Sequence, residues 1–122
     1  PAYRLSAGSK LPGPTLAARW RPALEPLLAR LADGELVVDL RSGSYTALGR
    51  LPGAVTVDVV SERPDGSRAV VSHFNKAHKG RLARVLAAGR AEPDSAAKVA
   101  TAARRAGMTV ERDGNRLTVV TQ

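Results

Sequence analysis

Apolar residues at Leu16, Trp20, Leu24, Leu27, Leu28 and Leu31 recur at three- and four-residue spacing, the period of a helix with one face turned to a core. Pro22 and Pro26 interrupt this stretch. Each removes a backbone donor and is best accommodated in a first turn. The pattern therefore predicts a short helix ending near Trp20 and a second running to about Ala32, stopped by Gly34. Residues 35–40, ELVVDL, are short and valine-rich and predict a buried strand. The loop RSGSYTALG that follows has room for one helical turn over 44–48. From 54 to 60 the sequence AVTVDVV alternates in period two. SRAVVSHF over 67–74 repeats that alternation after the turn formers Arg63, Pro64, Asp65 and Gly66, so the two segments predict a hairpin.

Asn75 is placed to cap a helix over 76–88, with Gly89 just past its end. Pro93, Asp94 and Ser95 open another helix, AAKVATAARRAG, closed by Arg104, Arg105 and Gly107. MTVER and NRLTVV flank Asp113 and Gly114, a two-residue turn signal, and predict a second hairpin. Residues 1–14 hold the clusters SAGS and LPGP, which oppose regular structure and predict a loop. No repeat or low-complexity tract is present. Together these elements predict an α+β fold, a mixed sheet with hairpins packed against several helices, in a single domain or domain fragment over residues 1–122.

Composition narrows the picture. The chain has 122 residues, 43% of them apolar, enough for one modest core. Its aromatics are confined to Tyr3, Trp20, Tyr45 and Phe74, so that core must be built from Leu, Val and Ala. Lys and Arg number 19 against 11 Asp and Glu, a net charge of +8 that favours acidic partners such as nucleic acid. Without cysteine the chain has no disulfide, thiolate metal site or Cys nucleophile, which fits a reducing cytosol. No stretch approaches the ~20 apolar residues of a membrane span, and no secretion signal opens the chain. The expected location is the cytoplasm, with no membrane partner. The only methionine is Met108, so the sequence reads as a piece of a longer protein.

The helix over 76–88 separates its faces most sharply. At about 100° per residue, His78, Leu82, Val85 and Leu86 fall on one arc, the expected core side. Lys76, Lys79, Gly80 and Arg84 fall on the opposite arc, with Arg81 toward one edge. Cations around a glycine that removes side-chain bulk suit the close approach of a phosphate backbone. The bland alternative is a solvated helix face with an incidental glycine.

His73 and His78 stand five apart rather than the helical four, and no thiol is available, so no metal site is expected. Asp39, at a strand end before Arg41, is the carboxylate best placed to line a crevice, although such residues more often pair with a neighbouring Arg. There is no Ser-His-Asp order, no Walker loop and no dinucleotide fingerprint, and GSYTALG lacks the Lys of a phosphate loop. No catalytic constellation and no cofactor are expected.

The stretch HFNKAHKGRLARVL resembles the signature of YaaA-type peroxide stress proteins, with Phe74, Lys76, Lys79, Gly80, Ala83 and Arg84 at the matching positions. YRLSAG at 3–8 is similar to that family's Tyr-Arg-Leu segment, residues 17–28 to its Trp-containing helix, and VVDLRSGSY to its strand ending in Ser-x-Tyr. Lys79 stands where many relatives have Arg, which keeps the charge and loses a bidentate fork. The family's Pro-Pro-Ser-Glu-Gly-Lys opening is absent, so the resemblance is to the C-terminal half of a larger YaaA-like fold. It implies a cytosolic bacterial protein of the hydrogen peroxide response that limits iron-dependent damage, with a basic cleft and a helix-hairpin-helix-like DNA-binding element.

The leading expectation is therefore a DNA-binding stress module that contacts phosphates without reading sequence, through Lys76, Lys79, Gly80, Arg81 and Arg84. The alternative is half of an enzyme. Tyr3, Arg4, Asp39, Ser44 and Tyr45 would then line a pocket for a phosphorylated or nucleoside-like substrate, in a cleft shared with the missing N-terminal half of the same protein. A third reading has the basic face docked against that half.

Overall fold

The structure, a computed structural model, describes residues 5–10, 12–71, 75–89 and 92–122. The chain divides into two compact units, Pro1–Glu35 with Arg41–Ala54, and Leu36–Leu40 with Val55–Gln122.

The first unit is built on α1, Leu16–Leu31, entered through Thr15, whose hydroxyl accepts from the Ala18 amide at 3.2 Å. One helix replaces the two expected, because it continues through Pro22 and Pro26. The carbonyls that these prolines leave without a donor belong to Ala18 and Pro22. Both residues are exposed, so water can satisfy those carbonyls. Side-chain ties elsewhere on the helix hold its course. The Arg21 guanidinium donates twice to the Ala47 carbonyl, at 3.2 and 3.0 Å, just past α2, Gly43–Thr46. Glu25 accepts from the Arg50 amide at 3.3 Å. Leu24 and Leu28 close over Gly49, where a Cβ would lie 3.3 Å from Leu28 and 3.4 Å from Leu24. Gly34, at φ +72°, supplies the expected stop. Lys10 and Thr15 bridge across the opening loop.

The second unit holds β1 (Val38–Asp39), β2 (Val55–Glu62), β3 (Arg68–Val70), α3 (Asn75–Ala88), α4 (Ala96–Arg105), β4 (Thr109–Asp113) and β5 (Arg116–Thr121). The sheet runs β1-β2-β5-β4 with β3 also on β2. β1 and β5 are parallel to β2, while the β2–β3 and β4–β5 pairs are antiparallel. This is the mixed α+β sheet that the sequence predicts. The strand expected over 35–40 shrinks to two paired residues, because this register sets 35–37 opposite 52–54, ahead of the start of β2. β1 meets only Val55 and Thr56, and β3 takes Val60 to Glu62. The first hairpin turns where expected, with Asp65 accepting from the Ser67 amide at 2.8 Å and Gly66 at φ +84°. Its second strand is shorter than predicted, and Ser72, His73 and Phe74 lie outside the described residues. In the last hairpin Asp113 pairs with Arg116, so the turn is Gly114-Asn115, one residue later than expected. Gly114 alone has positive φ, +58°, the pattern of a type II′ turn.

The core is aliphatic, as expected. Val55, Val57 and Val59 of β2, Val110 of β4, and Leu117 and Val119 of β5 face Leu82 of α3 and Ala96, Val99, Ala100 and Ala103 of α4. The Ala-Val-Ala-Ala stripe repeats at helical spacing and its small side chains bring α4 close to the sheet. Ser95 caps α4 by accepting from the Lys98 amide at 3.3 Å, and Gly107 ends it at φ +89°.

One side-chain cluster ties the first hairpin to β4. The Arg68 guanidinium makes a fork with Glu111, two bonds of 2.7 Å, and also donates to Glu62 at 3.1 and 3.2 Å. The hydrogen bond from Arg68 holds the Glu111 carboxyl below its ordinary 4.5, and desolvation only partly opposes it. A depressed carboxyl stabilises the fold above its unfolded pKa, and that contribution is lost as pH falls through the folded value. Thermal melts of the wild type and Arg68→Ala should therefore differ at neutral pH and converge as pH drops below about 4.5. A constant gap down to pH 3 would show that what Arg68 contributes does not depend on the ionised Glu111 carboxylate.

Candidate polyanion-binding face

α3 carries Lys76, Lys79, Arg81 and Arg84 and no carboxylate in its 14 residues. Burial divides those cations. Leu82 is 1% exposed, with Val85, Leu86 and His78 half-buried around it. Lys76, Gly80 and Arg84 are exposed. At four-residue spacing these three step by about 40° and 6 Å each, forming one slanted row. Among the described residues neither Lys76 nor Arg84 has an ion-pair partner, whereas Arg68 pairs with Glu62 and Glu111, Lys98 with Asp94, and Arg116 with Asp58.

Lys79 and Arg81 are placed differently. Lys79 is half-buried because its direction on the helix lies only about 20° from that of Leu86, so its stem follows the packed side. Arg81 is exposed, yet its Nη2 donates to the Ala106 carbonyl at 2.7 Å, a cation seated at the C-terminal end of α4. It thus fastens α3 to α4. Arg104 does similar work, its guanidinium donating twice to the Val110 carbonyl at 3.0 and 2.8 Å. Neither tie has a signature in sequence, since each depends on a carbonyl freed where a helix ends or a strand edge opens.

Gly80 meets nothing within 4 Å of where a Cβ would stand. Packing therefore does not explain the glycine. Beside α3, an open cleft of about 590 Å³ is floored by Val85, Leu86 and Ala102 and rimmed by Glu92, Lys98 and Arg105.

The second group of expected site residues is divided between the two units and the residues outside the description. Tyr3 and Arg4 lie outside the described residues. Asp39 is buried on β1 in the second unit and has an interaction partner of its own. Tyr45 is 62% exposed on α2 in the first unit. Ser44 is on the same helical turn, with its side chain outside what is described. Of the two histidines, His73 is outside the described residues and His78 lies on α3. No helix among the described residues is long and apolar enough to cross a membrane.

The chain is 53% identical to a UPF0246 protein of Corynebacterium efficiens, matching 99% of this chain and 51% of that protein. It is 50% identical to a UPF0246 protein of Corynebacterium glutamicum, over 94% of this chain and 48% of the relative. For one from Streptomyces coelicolor the identity is 41%, over 93% and 45%. The chain thus spans about half the length of the curated relatives it matches. No solved structure matches it. The model of the family described as peroxide stress protein YaaA matches residues 1–112, nearly the whole chain, and the chain belongs to that family.

Proposed function

We propose that this chain supplies a phosphate-contacting surface to a peroxide stress protein, binding the DNA backbone without reading sequence. The observation that carries this reading is the exposed row of Lys76, Gly80 and Arg84 on a helix that bears no carboxylate. Lys76 and Arg84 are the direct contacts, Gly80 keeps the space between them open, and Arg81 and Lys79 reinforce the potential of the face from its edges. Such contacts fix a protein on the duplex and carry no base information. The reading also gives a route to limiting iron-dependent damage. DNA gathers cations as counterions, and a protein that neutralises phosphates releases them, iron included, from where peroxide would generate radicals.

Gly80 offers a test that separates stability from binding. A glycine inside a helix costs roughly 0.5–1 kcal/mol relative to alanine, and at this position a methyl group meets no neighbour. Gly80→Ala should therefore raise unfolding stability by about that amount, read by chemical denaturation. If the gap serves a phosphate backbone, the same variant binds duplex DNA more weakly, and Gly80→Glu more weakly still. Stronger folding with unchanged binding by both variants would remove Gly80 from the interface.

A further inference from the structure

The apolar period of α1 divides into two arcs that do different things. Ala17 is buried, and Leu24 and Leu28 are packed over Gly49. Trp20, Leu27 and Leu31 are instead 55%, 44% and 68% exposed. Their spacing of seven and four residues puts them within an arc of about 40°, a continuous stripe running from the second turn to the end of the helix. Single exposed apolar residues are ordinary, but an aligned tryptophan and two leucines on one helix mark an interaction surface.

We propose that this stripe docks the part of the family polypeptide that the present chain does not span, so that Trp20, Leu27 and Leu31 are core residues of the full-length protein. Two observations select that occupant. The relatives contain about as much chain again as is matched here. A second copy is disfavoured, because each copy carries a net charge of +8 and the stripe is edged by the exposed Arg30. The docked surface is accordingly apolar at its centre with an acidic rim facing Arg30. This inference concerns α1 and is independent of the proposed role of α3.

The test compares one double variant in two contexts, the 122-residue chain and a full-length protein in which this chain replaces the matched stretch of the Corynebacterium efficiens relative. Leu27→Glu with Leu31→Glu should leave the melting temperature of the chain alone unchanged within error, and lower that of the full-length protein by at least ~10 °C. Trp20 is the only tryptophan of the chain, so acrylamide quenching reads it directly there. Amide exchange along α1 should be several-fold slower in the full-length protein without the substitutions. An equally harmless double variant in both contexts, or α1 exchanging equally fast in both, would overturn the proposal. Concentration-dependent association of the chain alone that protects Trp20 and is abolished by the double variant would overturn it in favour of a second copy.

Discussion

Leu82→Ala lowers the stability of this chain by about 3–4 kcal/mol, the middle of the range for emptying a buried leucine site. Leu82 is 1% exposed and sits where α3 meets β2 and α4, against valines and alanines whose branched or short side chains have little freedom to close a gap. The lost transfer energy of the leucine side chain is therefore joined by a cavity cost. Leu86, one turn on, only borders the same cluster, so Leu86→Ala should cost about 1–2 kcal/mol because solvent already reaches part of the side chain. Denaturant midpoints measured at constant m-value give both numbers. A loss below about 1 kcal/mol for Leu82→Ala would mean that α3 is not anchored as described. The consequence extends to function, because Leu82 fixes which arc of α3 is turned outward and hence which cations meet a ligand.

Periodicity made the second unit largely legible. The alternation of Val55, Val57 and Val59, the valines and alanines of α4, and the opposed arcs of α3 all report local geometry, and local geometry survives in the folded chain. Elements went unread where the deciding partner is remote in sequence. ELVVDL has the composition of a six-residue strand, yet its first three residues fall opposite 52–54, ahead of the start of β2, and only Val38 and Asp39 pair. Pro22 and Pro26 argue for a break, but the ties from Arg21 to Ala47 and from Glu25 to Arg50 cross about 25 residues and hold one helix through them. The turn at Gly114-Asn115 shifted by one residue because the Asp113–Arg116 pairing, not the Asp-Gly dipeptide, closes the hairpin.

The candidate site was legible to a similar degree. Lys76, Gly80 and Arg84 follow from helical spacing alone. Arg81 could not be recognised as a tie to Ala106, since nothing in HKGRLAR announces where α4 ends. The apolar period of α1 was visible in sequence, but its division into a packed arc and an open stripe was not, because Gly49 and its neighbours decide which leucines are covered.

The most direct test of the polyanion face is the salt dependence of duplex DNA binding by the wild type and by a Lys76→Ala, Arg84→Ala double variant. It is best made on the full-length protein as well as on this chain, with several unrelated sequences, over roughly 50–200 mM monovalent salt. Each phosphate contact contributes about −0.9 to the slope of log affinity against log salt, so losing two contacts should flatten the slope by about 1.8. The same relation makes each contact worth about fivefold near 0.15 M, so the double variant should bind about thirtyfold more weakly. Both substituted side chains are exposed, and melting temperatures should not move, which separates lost contacts from lost folding. The account predicts an equal loss for every sequence together with the flattened slope. Retention of both affinity and slope in the double variant would contradict it and show that the exposed row on α3 does not contact the phosphate backbone.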